Sequence, residues 1–80
     1  MIPRNLPRLA HNAIEKGWEM GVEHDHYYRG IKAILAYFLR GEDEVTFVWD
    51  VDDGDLVTSD VNGTPTPYTQ CTRLIREEPQ

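Results

Sequence analysis

Residues 45–51 alternate between large apolar and other side chains, and this pattern constrains the fold more than any other part of the chain. The apolar positions are Val45, Phe47, Trp49 and Val51. A period of two is typical of a β-strand with one buried face. Asp53-Gly54 follows, which is a strong signal for a two-residue type I′ hairpin turn. We therefore predict a hairpin with strands at about 45–51 and 56–61, because a slip of one residue would expose its whole aromatic face.

The first half of the chain shows the longer period that is typical of α-helices. Pro7 suits the first turn of a helix, which we predict at about 7–21. Asp25 is a good N-cap for a second helix at about 26–40, and Gly41 stands where a terminating glycine is expected. The buried stripe of this second helix would consist of Tyr27, Ile31, Ile34, Leu35 and Phe38.

The C-terminal segment completes the predicted fold. Asn62-Gly63 is a second turn signal, and the prolines after it indicate an edge strand or irregular loop. We predict a third strand at about 68–75 and a frayed tail at 76–80. The predicted class is α+β, with two N-terminal helices packed on one face of a three-stranded antiparallel meander, in a single domain of residues 1–80. The uncovered face of this sheet would be acidic.

Charge is distributed unevenly along the chain. Through Arg40 there are six basic and four acidic residues, whereas between Gly41 and Thr72 there are eight carboxylates and no lysine or arginine. These are Glu42, Asp43, Glu44, Asp50, Asp52, Asp53, Asp55 and Asp60. Like charges on one surface repel each other, so their concentration points to a partner of opposite charge.

The charge pattern favours a small acidic, non-enzymatic protein-interaction module, such as an inhibitor or accessory protein. Its carboxylate-rich hairpin would contact a basic surface of a protein partner. The predicted partner-binding residues are Asp50, Asp52, Asp53, Asp55 and Asp60. One version of this hypothesis is nucleic-acid mimicry, in which spaced carboxylates imitate phosphates. Direct nucleic-acid binding is not expected at a net charge of −6, because phosphate contacts require clustered cations.

Two other functions stay open at this point. His24 and His26, beside Glu23 and Asp25, are weak candidates for a metal site, although the usual zinc spacings are absent. Calorimetry with zinc, nickel and calcium would test this hypothesis. The surplus of aromatic residues also suits a homo-oligomeric structural protein, which sedimentation at high concentration would test. A calcium loop is not indicated, because aligning Gly54 with the loop glycine places Trp49 first and Asp60 last.

Motifs for catalysis or cofactor binding are not found in the sequence. Ser59 is the only serine and has no nucleophile-elbow context, and glycine-rich phosphate loops are missing. We therefore expect no enzyme activity and no cofactor. Cys71 is the only cysteine, so an intramolecular disulfide is impossible. No apolar run approaches the roughly 20 residues of a membrane span and no apolar leader is evident, so we expect a cytoplasmic protein.

Overall fold

In the computed structural model, which describes residues 3–79, the chain forms five strands and two helices. In order they are α1 (Leu6–Glu15), β1 (Glu19–Tyr28), β2 (Ile31–Arg40), β3 (Asp43–Asp50), β4 (Leu56–Val61), β5 (Thr64–Pro65) and α2 (Tyr68–Arg76). Each strand pairs with the next in one antiparallel sheet. Both helices pack on the same side of the sheet, which gives it a covered face and an open face.

The α+β class is therefore confirmed, but the predicted arrangement of two helices on a three-stranded meander is wrong. The ends of the predicted domain, Met1, Ile2 and Gln80, lie outside the described residues. Part of the predicted frayed tail is within them, and there the Lys16 side chain binds the Glu78 carboxylate and Arg40 Nη1 donates to the Glu77 carbonyl oxygen at 2.8 Å.

Among residues 3–79, neither helix has the length and apolar character needed to cross a membrane.

The largest correction concerns the predicted second helix. Residues 26–40 are instead the end of β1, a two-residue turn and the whole of β2. Arg29 and Gly30 have φ values of 50° and 83°, and positive φ at both positions is the geometry of a type I′ hairpin turn. The apolar run 33–39 supplies both faces of β2, which lies between two paired strands. Such a run suits a buried helix or an interior strand equally, so its period could not decide between them.

The predicted first helix is too long. It was expected to reach residue 21, but α1 ends at Glu15. Gly17 adopts a φ of 84° directly after the helix, and the Trp18 N–H donates to the Ala13 carbonyl oxygen at 2.9 Å. A glycine with positive φ is a common way for a helix to end. The chain then enters β1, so Trp18 reaches the core from a connection and not from a helix.

The predicted third strand, 68–75, is also wrong, because these residues form most of α2. Its buried residues Cys71 and Ile75 are four apart, and Tyr68 lies three residues before Cys71. This is the spacing of one helix face. The β-branched residues in the segment favoured a strand, but packing of this face against the core overrides that preference.

Strands β3 and β4 lie where the hairpin strands were predicted. Val45, Phe47 and Trp49 face the covered side and are at most 1% exposed. The connection between the strands is wider than the predicted two-residue turn, since residues 51–55 form a loop in which the Gly54 N–H donates to the Asp50 carbonyl oxygen at 2.9 Å. The second predicted turn is present, with φ values of 53° and 81° at Asn62 and Gly63.

Trp18 joins both helices to the sheet. Its side chain is 4% exposed, and its Nε1 donates to the Ile75 carbonyl oxygen of α2 at 3.1 Å. The guanidinium group of Arg40, at the end of β2, lies 4.3 Å from the centre of a Trp18 ring. Arg40 Nη1 also donates to the Lys16 carbonyl oxygen at 3.0 Å. The indole therefore lies at the junction of α1, β1, β2 and α2.

The outermost strands of the sheet differ from each other. β1 is ten residues long, and its pairing with β2 is shifted between Glu23 and His26, which leaves His24 and Asp25 in a bulge. β5 has only two residues, one of which is Pro65.

Candidate protein-binding face

The open face of the sheet has an apolar centre. The side chains of β2 that point to this face are all uncharged, and we call them the apolar stripe: Ile31, Ala33, Leu35, Tyr37 and Leu39. Ile31 and Leu39, at its ends, are 39% and 37% exposed, Leu35 and Tyr37 are half-buried, and Ala33 is fully buried. Val48 of β3, which pairs with Leu35, is only 3% exposed and adds little accessible surface to this centre. No helix packs on these residues within the described part of the chain.

Carboxylates border the apolar stripe on both sides. This acidic border consists of Glu19 and Glu23 in β1, Glu44 and Asp50 in β3, and Asp60 in β4. Residues that are paired across the strands form rows, and each row from Ala33 to Leu39 on the open face contains at least one carboxylate. Leu39 lies between Glu19 and Glu44, and Leu35 is opposite Glu23. Ala33 is opposite Asp50, and the row through Tyr37 and Thr46 ends at Asp60.

Basic residues are concentrated elsewhere in the structure. No lysine or arginine occupies an open-face position in strands β1 to β5 as described. Arg29, in the turn at the end of the stripe, lies 5.4 Å from the centre of the Tyr28 ring. On the opposite side, a groove of about 240 Å³ between α1 and α2 is lined by Arg8 and Arg76. The molecule thus presents an acidic sheet face and a more basic helical face.

The Tyr37 side chain lies over a glycine of the neighbouring strand. Tyr37 pairs with Gly21 of β1, and a Cβ atom at Gly21 would overlap the outer part of the Tyr37 ring. Glycine at this position therefore leaves room for the ring over the outermost strand. The half-buried ring widens the apolar centre from β2 onto β1.

The structure divides the predicted partner-binding residues between two locations. Asp50 and Asp60 belong to the acidic border of the open face. Asp52, Asp53 and Asp55 lie in the loop 51–55 and are exposed. In that loop the Asp50 carboxylate accepts the Asp52 N–H and the Asp53 carboxylate accepts the Asp55 N–H, both at 2.8 Å. These two carboxylates therefore also shape the loop backbone.

Three residues of the acidic border were missed by the sequence prediction. Glu19 was placed in a helix and Glu23 in a connector, so neither was assigned to the sheet. The alternation of Glu19, Gly21 and Glu23 with Met20 and Val22 was the available strand signal. Glu44 was counted among the acidic residues, but its place opposite Leu39 depends on β2 being a strand.

The two candidate metal ligands lie in the outermost strand. His26 is on the open face, and its Nδ1 lies 3.3 Å from Oε2 of Glu23. His24 is exposed in the bulge of β1. Within residues 3–79, no group of three or more His, Cys, Asp or Glu side chains is arranged to hold a metal ion. Metal binding through His24 and His26 stays a prediction.

Cys71 is inaccessible, and burial raises the pKa of its thiol above the ordinary value of 9.0. Because the folded state disfavours the thiolate, the stabilisation from this group is present below pH 9 and is lost as the pH rises further. We therefore expect the free energy of unfolding to fall more steeply between pH 8 and 10 in the natural chain than in Cys71→Ala. Urea denaturation of both proteins at several pH values measures the two slopes. Equal slopes would contradict the prediction, even if the two proteins differ in stability at pH 7.

Comparisons with known proteins identify no relative, since no family model, curated protein or solved structure shows significant similarity to this chain.

Proposed function

We propose that this protein is a small, non-enzymatic interaction module that binds a basic protein surface through the open face of its sheet. The observation that carries the proposal is the combination, on one face, of an acidic border and an apolar stripe that is exposed at its ends and half-buried at Leu35 and Tyr37. Apolar centres with polar rims are typical of protein interfaces. The border would attract a basic partner and align it, and the stripe would supply the buried area.

The acidic border argues against pairing of this face with itself. In a two-fold dimer the same surface is presented by both copies. The five carboxylates of one copy would then face the same five carboxylates of the other, without a lysine or arginine at an open-face position of the described strands to offset them. A partner with lysine or arginine around an apolar patch avoids this repulsion. The charge pattern therefore favours a different protein as partner.

Two variants with the same net charge test the proposal. One removes three border charges, Glu19→Gln, Glu23→Gln and Asp60→Asn, and the other removes three loop charges, Asp52→Asn, Asp53→Asn and Asp55→Asn. Immobilised natural protein and both variants are used to capture partners from native lysate at low and high salt. Since each exposed ion pair contributes about 0.2–1 kcal/mol, we expect the border variant to bind a captured basic partner about tenfold more weakly.

The loop variant is the matched control, because asparagine keeps the side-chain oxygen that accepts the backbone N–H in the loop. We expect it to retain the partner within about twofold, and we expect high salt to release the partner from the natural protein. Equal loss of binding in both variants would assign the effect to net charge alone. If both variants bind the partner as tightly as the natural protein, or if salt does not change binding, the partner does not bind through the acidic open face.

A further inference from the structure

The shape of the open face indicates what kind of partner segment it accepts. The apolar stripe follows a single strand from Ile31 to Leu39. At about 3.3 Å per residue these eight steps span about 26 Å. Neighbouring strands lie about 4.8 Å to either side, so carboxylates begin one strand away on both sides of the stripe. The apolar area is therefore long and narrow, with negative charge along both margins.

An amphipathic α-helix matches these dimensions. A helix rises about 1.5 Å per residue, so about 18 residues cover the length of the stripe. Its overall width of about 10–12 Å extends from β1 to β3. Residues at the edges of its apolar face would then lie above Glu19 and Glu23 on one side and above Glu44 and Asp50 on the other.

The spacing of the acidic border agrees with helical periodicity. On β1, Glu19 and Glu23 are four strand residues apart, or about 13 Å, and on β3, Glu44 and Asp50 are six residues apart, or about 20 Å. Two turns of a helix advance about 11 Å and four turns about 22 Å. Lysines or arginines two turns apart along one margin of a docked helix, and four turns apart along the other, would therefore meet these carboxylates. A second helical layer on the open face would also complete the burial of a sheet whose other face is already covered by helices.

We infer that the open face binds a basic amphipathic α-helix of a partner protein, laid along β2 with its apolar side on Leu35, Tyr37 and Leu39. This inference rests on the proposed function, because it specifies the partner of the same face. Apolar contact with the stripe supplies the affinity, and the acidic border selects helices that carry lysine or arginine along both margins of their apolar side.

Three synthetic peptides of about 18 residues test the inference. All have the same composition of leucine, lysine and alanine. One places its leucines on a single helical face, one has the same residues shuffled so that no face is apolar, and one alternates leucine and lysine as an amphipathic strand. Binding to the full chain is measured by calorimetry at physiological ionic strength, and circular dichroism follows the helix content of the peptide. We expect the amphipathic helix to bind at least tenfold more tightly than either other peptide and to gain helix content on binding.

A matched pair of variants assigns the binding to the open face. Leu39 and Leu56 are each 37% exposed, but Leu39 is on the open face, whereas Leu56 pairs with Trp49 of the covered face. Burial of the remaining apolar area of one leucine predicts that Leu39→Ser weakens binding of the amphipathic helix about fivefold. Leu56→Ser should leave the affinity within about twofold.

The possible failures are distinguishable. If the shuffled peptide binds as tightly as the amphipathic helix, or the strand peptide binds most tightly, the inference is overturned while an acidic protein-binding face remains. Equal effects of Leu39→Ser and Leu56→Ser would also overturn it, because they would show that binding does not use the open face specifically. If no basic peptide binds and the border variant captures the same partners as the natural protein, the proposed function falls as well.

Discussion

Phe47→Ala is expected to lower the free energy of unfolding by about 3–5 kcal/mol. Phe47 is fully buried, and its ring centre lies 5.7 Å from those of Phe38, Trp49 and Tyr68. Truncation would remove contacts with β2, β3 and α2 at once and leave a cavity. A domain of 80 residues is typically stable by roughly 4–12 kcal/mol, so this loss would remove a large share of the total stability.

Urea denaturation followed by tryptophan fluorescence and circular dichroism measures this effect. Tyr27→Ala is the matched control, because it also removes an aromatic ring but from a side chain that is 67% exposed. The control should change the free energy of unfolding by no more than about 0.5 kcal/mol. Similar losses in the two variants would contradict the assignment of Phe47 to the core, and with it the face assignment of β3.

The second large effect is expected at Trp18. Trp18→Ala should cost about 3–5 kcal/mol, because the indole packs in the core and its Nε1 donates to the Ile75 carbonyl oxygen. Trp18→Phe keeps most of the apolar volume and removes this hydrogen bond. It should cost about 1–2 kcal/mol, since the buried carbonyl oxygen loses its partner.

The same denaturation experiment compares the natural chain with both Trp18 variants, using the remaining tryptophan and circular dichroism as probes. The order of stability should be natural chain, Trp18→Phe, Trp18→Ala. A loss below about 1 kcal/mol for Trp18→Ala would show that the junction between the helices and β2 contributes little. Equal losses for both variants would show that the hydrogen bond, and not the packing, stabilises this junction.

The parts of the fold that the sequence predicts correctly are those with one buried face and strong turn residues. In β3, apolar and other residues alternate, and Asn62-Gly63 marks the turn after β4. The failures have a common cause. Residues 33–39 are apolar on both faces of β2, so they lack a period, and the Arg29-Gly30 turn lacks the usual asparagine or aspartate. Only the pairing of β2 with β1 and β3 decides that this run is a strand.

The sequence predicted that the uncovered face of the sheet is acidic, but it located only some of the residues of the candidate site. An acidic uncovered face was expected from the carboxylates after Gly41, and Asp50 and Asp60 do lie on the open face. Its apolar centre could not be predicted, because Leu35 was assigned to the buried stripe of a helix. Once β2 is a strand, alternate residues of the same segment face opposite directions, and Leu35 joins the open face while Ile34 and Phe38 remain in the core.

The bulge in β1 and the proline in β5 restrict how this protein can associate. A flat, unpaired strand offers a template on which another chain can add by backbone hydrogen bonding. At one end of this sheet the ladder is interrupted at His24 and Asp25, next to charged side chains, and at the other end Pro65 lacks an N–H to donate. Both margins thus discourage growth of the sheet into fibrils, so the exposed apolar residues along β2 do not by themselves make the protein prone to aggregate by adding strands.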